Sequence, residues 1–199
     1  MEALEEFLLQ NTPESFMITF TRSTFDAEIA HRYGAPESDI ETLSGEEADG
    51  LIGRSGPGSL LRVGSIPGWG FGYEPYGAQG WNEKILSALS AETETVFFST
   101  ISGRTTVGRW MNSRMVESFS MDGPQTLHHT GPATLFEQAD MESSRSGKAR
   151  GLSAVHRYVG ASLSSEDLNT TLLTTWLPPV PLKPRKPSAT PSQDLGPAI

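Results

Sequence analysis

The chain of 199 residues contains no cysteine. This absence excludes disulfides, thiolate zinc sites, iron–sulfur clusters and a cysteine nucleophile. Long apolar runs are also missing, and none approaches the roughly 20 residues that a membrane-spanning helix needs. The sequence begins with MEALEEFLLQ, which carries acids where a signal peptide carries Lys or Arg. We therefore expect a cytoplasmic protein with no membrane partner.

Local motifs of known catalytic or cofactor sites are missing as well. The sequence has no Walker lysine motif, no HExxH and no GxSxG element. Glycines alternate with aromatics over 68–72, whereas a phosphate cradle needs glycines between a strand and a helix N-terminus. No histidine pair has the i, i+4 spacing by which a helix shares a metal between two imidazoles. The four histidines are His31, His128, His129 and His156. We expect no cofactor and no metal ion.

Basic residues are scarce where a nucleic acid would need them. The net charge is -9, and residues 1–50 hold 12 acids and 2 arginines. Nucleic-acid binding requires a basic stripe that displaces phosphate counterions, so we expect no nucleic-acid partner. The acidic first quarter has two interpretations: it attracts a cationic partner, or it is a solvated helical face.

A change in composition near Leu177 predicts a domain boundary. Residues 178–199 hold 7 of the 14 prolines and three of the basic residues. We predict one domain over 1–177 and a disordered Pro/Lys-rich tail over 178–199. The overlapping repeats Pro178-x-x-Pro181 and Pro181-x-x-Pro184 suit the aromatic grooves of SH3-type domains, although a tail of this composition produces them by chance.

Apolar periodicity and turn residues predict an α+β chain. Strands are expected at 16–22, 59–65, 69–76, 93–101, 105–111, 114–121 and 172–176. Helices are expected at 2–9, 25–33, 46–52, 82–89, 152–159 and 164–168. The main order is β-α-β-β-α-β-β-β-α, which predicts a mainly antiparallel sheet with helices covering one face.

A hairpin over Asn112-Ser113 allows a prediction of side-chain placement. A two-residue type I′ turn there pairs Trp110 with Met115 and Gly108 with Glu117. Trp110 and Glu117 then share the core face, which also carries Met115, Phe119 and Met121. A register shift of one residue would instead move Glu117 to solvent. If Glu117 is buried it needs a donor, and Arg22 or Arg62 is the expected partner.

The strand near residue 70 predicts one aromatic and one bare face. Trp69, Phe71 and Tyr73 alternate with glycines. The bare face indicates close packing of another backbone or side chain.

Motifs spread over 16–177 resemble an actinobacterial family of domains of unknown function, numbered 6461. The matching residues are Thr19, Phe20, Arg22, Gly34, Trp69, Glu74, Gly77, Leu89, Ser90, Thr93, Ser118, Phe119 and Pro124. The pair Asn112-Ser113 departs from the acidic-Gly turn of that pattern. The resemblance implies a compact cytoplasmic α+β domain and no particular reaction.

These observations favour a non-catalytic protein-interaction or immunity-like module over an enzyme. The alternatives are a hydrolase-like enzyme that uses His128, His129 or His156 with a nearby carboxylate, and a small-molecule sensor with its pocket beside strand 69–73. The partner would be another protein, and the oligomeric state stays open. The candidate binding face comprises Trp69, Tyr73, Glu74, Trp110 and Glu117.

Overall fold

A computed structural model of the protein describes residues 15–52, 57–122, 127–139, 145–161 and 163–179. The helix predicted over 2–9 and the tail from 180 to 199 lie outside these residues. So does Pro124, one of the residues that carry the family resemblance.

Within the described ranges, nine strands form one antiparallel sheet, which confirms the predicted α+β class. The strands are β1 (Phe16–Arg22), β2 (Glu41–Leu43), β3 (Ser59–Ile66), β4 (Trp69–Glu74), β5 (Glu94–Ile101), β6 (Arg104–Met111), β7 (Arg114–Ser120), β8 (Leu127–His129) and β9 (Leu172–Leu177). Their order across the sheet is β2-β9-β3-β4-β1-β5-β6-β7-β8. The strands β2 and β8 were not expected from the sequence. They have three residues each and form the two edges of the sheet.

Five helices accompany the described strands, and four of them begin after a residue whose side chain caps the first turn. They are α1 (Asp26–Arg32), α2 (Gly45–Asp49), α3 (Glu83–Leu89), α4 (Gly147–Val159) and α5 (Ser165–Asn169). The side chain of Asn82 accepts a hydrogen bond from the Lys84 amide, and Gly160 ends α4 in the left-handed region at φ 71°. Phe25 was expected inside the first helix. It instead precedes α1 and is 85% exposed.

The helices lie on both faces of the sheet, so the prediction that they cover one face is wrong. On one face, Leu152 and Val155 of α4 pack into a cluster with Phe20 and Phe98. On the other face, Ile29 of α1 and helix α3 pack against Leu61 and Val63 of β3. The reason is that β1 and β3 lie inside the sheet and their side chains are buried on both sides, so each side has a cover.

The hairpin joining β6 and β7 has the predicted turn but not the predicted register. Asn112 and Ser113 both have positive φ, at 50° and 64°, as a type I′ turn requires. Trp110 pairs with Met115 as expected, but a β-bulge follows and Arg109, not Gly108, lies opposite Glu117. The extra residue, Val116, shifts the alternation of β7 and places Glu117 on the face opposite Trp110, so the predicted shared face is wrong. Met115 lies next to the turn, is 41% exposed and is not a core residue.

Candidate functional site

An open groove lies where β4 ends and the chain leaves β9. Its volume is about 450 Å³, and its surface is mostly apolar. We call it the Trp81 groove. It is lined by Gly58, Ser59, Gly77, Ala78, Gln79, Trp81, Asn82 and Pro179. The Trp81 ring is 41% exposed and packs edge-on against Phe97, with ring centroids 5.2 Å apart. A large aromatic ring is thus presented to solvent on a fixed support.

A buried carboxylate holds the groove in shape. Glu74 has no exposed surface, and its Oε2 accepts hydrogen bonds from the Ser59 hydroxyl at 2.6 Å and from the Gln79 amide at 2.8 Å. Its Oε1 accepts one from the Gly80 amide at 2.7 Å. The two amides belong to a short 3₁₀ turn, Gln79–Trp81, and are among those that such a turn leaves unpaired. Glu74 therefore fixes the turn that carries Trp81.

Two glycines allow this close packing. A Cβ on Gly77 would lie 1.8 Å from the Ser59 Oγ, and one on Gly80 would lie 2.6 Å from the Tyr33 hydroxyl. Such contacts are not possible between real atoms, so both positions need glycine. Glu74 and Gly77 are among the residues that carry the family resemblance, but Trp81 has no role in the sequence-based predictions. The spacing of an acid followed by two glycines and a tryptophan was the available signal.

Burial governs the ionisation of the groups beneath the groove. It raises the pKa of Glu74, while the hydrogen bonds from Ser59, Gly80 and Gln79 act in the opposite direction. The pKa of Tyr33 is raised well above its ordinary value, first by burial and then by the nearby Glu74. The Tyr33 hydroxyl lies 2.9 Å from the Thr19 hydroxyl. These groups form a polar core that is closed to solvent.

A second buried polar cluster lies at the opposite end of β1. Arg109 is 6% exposed and stands between two carboxylates, with 3.4 Å to Glu94 and 3.5 Å to Glu117. The Tyr158 hydroxyl donates to Glu94 at 2.5 Å. Arg22 also donates to Glu94, with contacts of 2.9 and 3.0 Å, and its guanidinium lies 4.3 Å from the centre of the Trp69 ring. The two acids and two bases cancel in charge.

Glu117 is fully buried and anchors a loop. Its carboxylate accepts hydrogen bonds from the amides of Leu135 at 3.1 Å and Phe136 at 2.6 Å. The prediction that Arg22 or Arg62 pairs with Glu117 is wrong, because Arg109 fills this role. Arg62 instead donates to the carbonyls of Leu168, Leu43 and Thr170. These contacts give Glu117 a structural role.

The four histidines lie in different environments. His31, His128 and His129 are exposed. His156 is 5% exposed, its ring lies edge-on to Phe20, and burial lowers its pKa to about 4. Within the described ranges no histidine is hydrogen-bonded or ion-paired to a carboxylate, so the histidine–carboxylate pair of the hydrolase alternative is not observed there.

The candidate binding face predicted from sequence is not a single surface. Trp69 and Tyr73 lie in the core cluster on the α4 side, and Glu117 is buried beside that cluster. Trp110 is buried, as predicted. It lies in a cluster with Met17 on the other side of the sheet, so the prediction that it shares a face with Glu117 is wrong. Glu74 pairs with Met17 in the sheet and also faces that side. None of these five residues lines the Trp81 groove.

The bare face of β4 is closely packed, as the alternation predicted. A Cβ on Gly70 would lie 2.3 Å from the Ile29 side chain, and one on Gly72 would lie 2.9 Å from the Tyr33 ring. The aromatic face is buried too, so core packing fills the space beside 69–73 where the sensor alternative places its pocket.

Comparison with family models, curated proteins and solved structures found no match for this chain. In the part of the chain that the structure describes, no group of His, Asp and Glu side chains is arranged to hold a metal ion. None of the described helices has the length and apolar character to cross a membrane.

Proposed function

We propose that this chain is a non-catalytic protein-interaction module of the immunity-like kind, in which the Trp81 groove binds an extended apolar segment of a partner protein. The observation that carries the proposal is the groove itself, which is open, mostly apolar and built around an indole that is 41% exposed. Tryptophan is enriched among the residues that dominate binding energy at protein interfaces. A groove of this kind suits a peptide chain.

The support beneath the groove strengthens the proposal. Glu74 binds the backbone on the two residues that precede Trp81, and Phe97 holds the indole edge-on. A binding surface that is already ordered loses little conformational entropy when a ligand arrives. The free groove is therefore already arranged for binding, because its residues lose their conformational entropy when the chain folds.

Kinship with the actinobacterial family of domains of unknown function remains a proposal, as does a cytoplasmic location. Two residues that carry the resemblance, Glu74 and Gly77, are the ones that shape the groove. This correspondence supports the kinship, since it gives the shared residues a physical purpose.

No observation favours the two alternatives. A hydrolase of the expected type needs a histidine beside a carboxylate, and the described residues bring no such pair together. A sensor pocket beside Trp69 and Tyr73 would require space that core packing occupies.

Selection from a phage-displayed library of random linear peptides tests the proposal. Peptides selected on the wild-type chain should lose at least tenfold in affinity on Trp81→Ala. They should bind normally to Phe25→Ala, which removes an exposed aromatic ring that does not line the groove.

A second variant guards against a folding defect in Trp81→Ala. Ala78→Arg keeps the tryptophan and fills the groove with a longer side chain, so it should also abolish binding. Thermal melts establish that each variant is folded. Failure to enrich any peptide, or equal binding to wild type and both groove variants, would contradict the proposal.

A further inference from the structure

The chain leaves its last strand through the Trp81 groove. Strand β9 ends at Leu177, and Pro179 is one of the groove-lining residues. The Gln79 side-chain amide donates to the carbonyl of Leu177 at 3.2 Å and to that of Pro178 at 2.8 Å. The direction in which the chain departs is therefore fixed by the same turn that carries Trp81. Whatever follows Pro179 starts at the rim of the groove.

The sequence that follows has the chemistry of a groove ligand. Residues 180–187 read VPLKPRKP, so that prolines recur at every third position, with Val180 and Leu182 as apolar side chains. Such sequences favour the polyproline II conformation, which has three residues per turn and little entropy to lose. Aromatic-lined apolar grooves are the surfaces that recognise it.

Charge complements this match. Residues 178–199 carry one acidic side chain and three basic ones, which are Lys183, Arg185 and Lys186. The exposed Glu83 directly follows the groove-lining Asn82, and the exposed Lys84 follows Glu83. The exposed Glu41 lies in β2 opposite Thr174, three residues before the end of β9. The segment that follows Pro179 is thus basic in a chain whose net charge is -9, and this attraction favours docking on its own fold.

We infer that the proline-rich segment following Pro179 docks in the Trp81 groove of its own chain and competes there with any partner segment. This inference rests on the proposed function, since it names the ligand class of the same groove and adds its regulation. A tethered segment has an effective concentration of the order of 1 mM. If it binds with a Kd of the order of 100 µM, it lowers the apparent affinity of an external ligand about tenfold.

Competition in the full chain tests the inference. The probe is a synthetic peptide that copies residues 178–190, titrated into the wild-type chain and into a tail variant carrying Pro181→Ser, Leu182→Ser and Pro184→Ser. The peptide should bind the tail variant about tenfold more tightly, because the internal competitor is weakened. Ala78→Arg added to the tail variant should abolish this binding.

A spin label gives an independent measurement. The chain has no cysteine, so Ser188→Cys provides a unique labelling position. A nitroxide there should broaden the NMR signals of Gly77, Ala78 and the Trp81 indole, and the same label on the tail variant supplies the baseline for a tethered but undocked segment. If the label broadens these signals no more in the wild-type tail than in the tail variant, the inference is overturned.

The remaining outcomes are also decisive. Equal peptide affinity for wild type and tail variant overturns docking in the same chain, while the proposed function stands on the phage selection. A dimer in analytical ultracentrifugation that the tail substitutions abolish assigns the groove to the segment of a second copy, which also overturns the inference. If the peptide binds neither chain, the groove does not recognise proline-rich segments and the inference is overturned. The phage selection then tests separately whether the groove binds any peptide.

Discussion

Replacing Glu117 by glutamine should substantially lower the free energy of unfolding, although the two side chains are nearly equal in size. The carboxylate has no exposed surface and serves three neighbours: the amides of Leu135 and Phe136, and the guanidinium of Arg109. Glutamine retains one acceptor oxygen and introduces an NH₂ group. Whichever way the side-chain amide is oriented, one backbone N–H faces a donor.

The size of the effect follows from these contacts. One charge-assisted hydrogen bond is worth about 1.5–3 kcal/mol. Arg109 also loses one of its two carboxylates while it stays buried, and breaking a buried ion pair costs about 3–5 kcal/mol in total. We expect the free energy of unfolding to fall by about 3–5 kcal/mol. For a domain of this size the melting temperature then drops by about 6–20 °C.

Urea denaturation and thermal melts measure this loss, and Glu137→Gln is the matched control. Glu137 lies in the same loop, within the 3₁₀ turn Phe136–Gln138, and is exposed. Its substitution should change stability by less than about 0.5 kcal/mol. Hydrogen exchange in Glu117→Gln should accelerate first at the amides of Leu135 and Phe136. If Glu117→Gln and Glu137→Gln are equally stable, the anchoring role of Glu117 is refuted.

Three other substitutions test separate parts of the fold. Trp110→Ala should lower the free energy of unfolding by about 3–5 kcal/mol in denaturant titrations, because Trp110 is 9% exposed and fills a core cluster. The control Phe25→Ala should be near neutral, and equal stability of the two variants would disprove the assigned burial. Gly77→Ala should lower the melting temperature and weaken peptide binding together, since its Cβ would collide with the Ser59 side chain at 1.8 Å; an unchanged melt would argue against the tight packing. Burial lowers the pKa of His156 from 6.5 to about 4, so the folded chain resists protonation and its stability should fall by about 2 kcal/mol between pH 7 and pH 5. His156→Phe should lack this part of the pH dependence, and parallel stability curves for wild type and variant would contradict the assignment.

Much of the local structure could be predicted from the sequence because it depends on neighbouring residues. The dense apolar pattern of 16–22 gives β1, the Asn82 side chain caps α3, and Gly160 supplies the left-handed end of α4. The alternation of aromatics and glycines in β4 correctly predicted close packing on its bare side. Each of these features is determined within a few residues, by steric limits on φ or by a side chain reaching its own backbone.

Pairing between distant segments could be predicted only in part. The turn at Asn112-Ser113 was correct, but one extra residue at the bulge changed which side chain faces Glu117. Side chains alternate with a period of two, so a single inserted residue reverses the faces of everything beyond it. No local pattern in β7 reveals the bulge, whose extra residue Val116 accepts a hydrogen bond from the amide of Thr130, beyond the next strand.

The candidate site shows the same division between sequence and tertiary structure. Composition alone determined an acidic chain with a proline-rich, basic segment beyond Leu177, and excluded every function that depends on cysteine. Only tertiary structure brought Ser59, Glu74 and Trp81 to the place where β9 ends. The physical reason is that sheet order joins segments more than a hundred residues apart, as in the pairing of Ser59 with Leu177. The groove exists because those strands are neighbours, and no spacing along the chain encodes that.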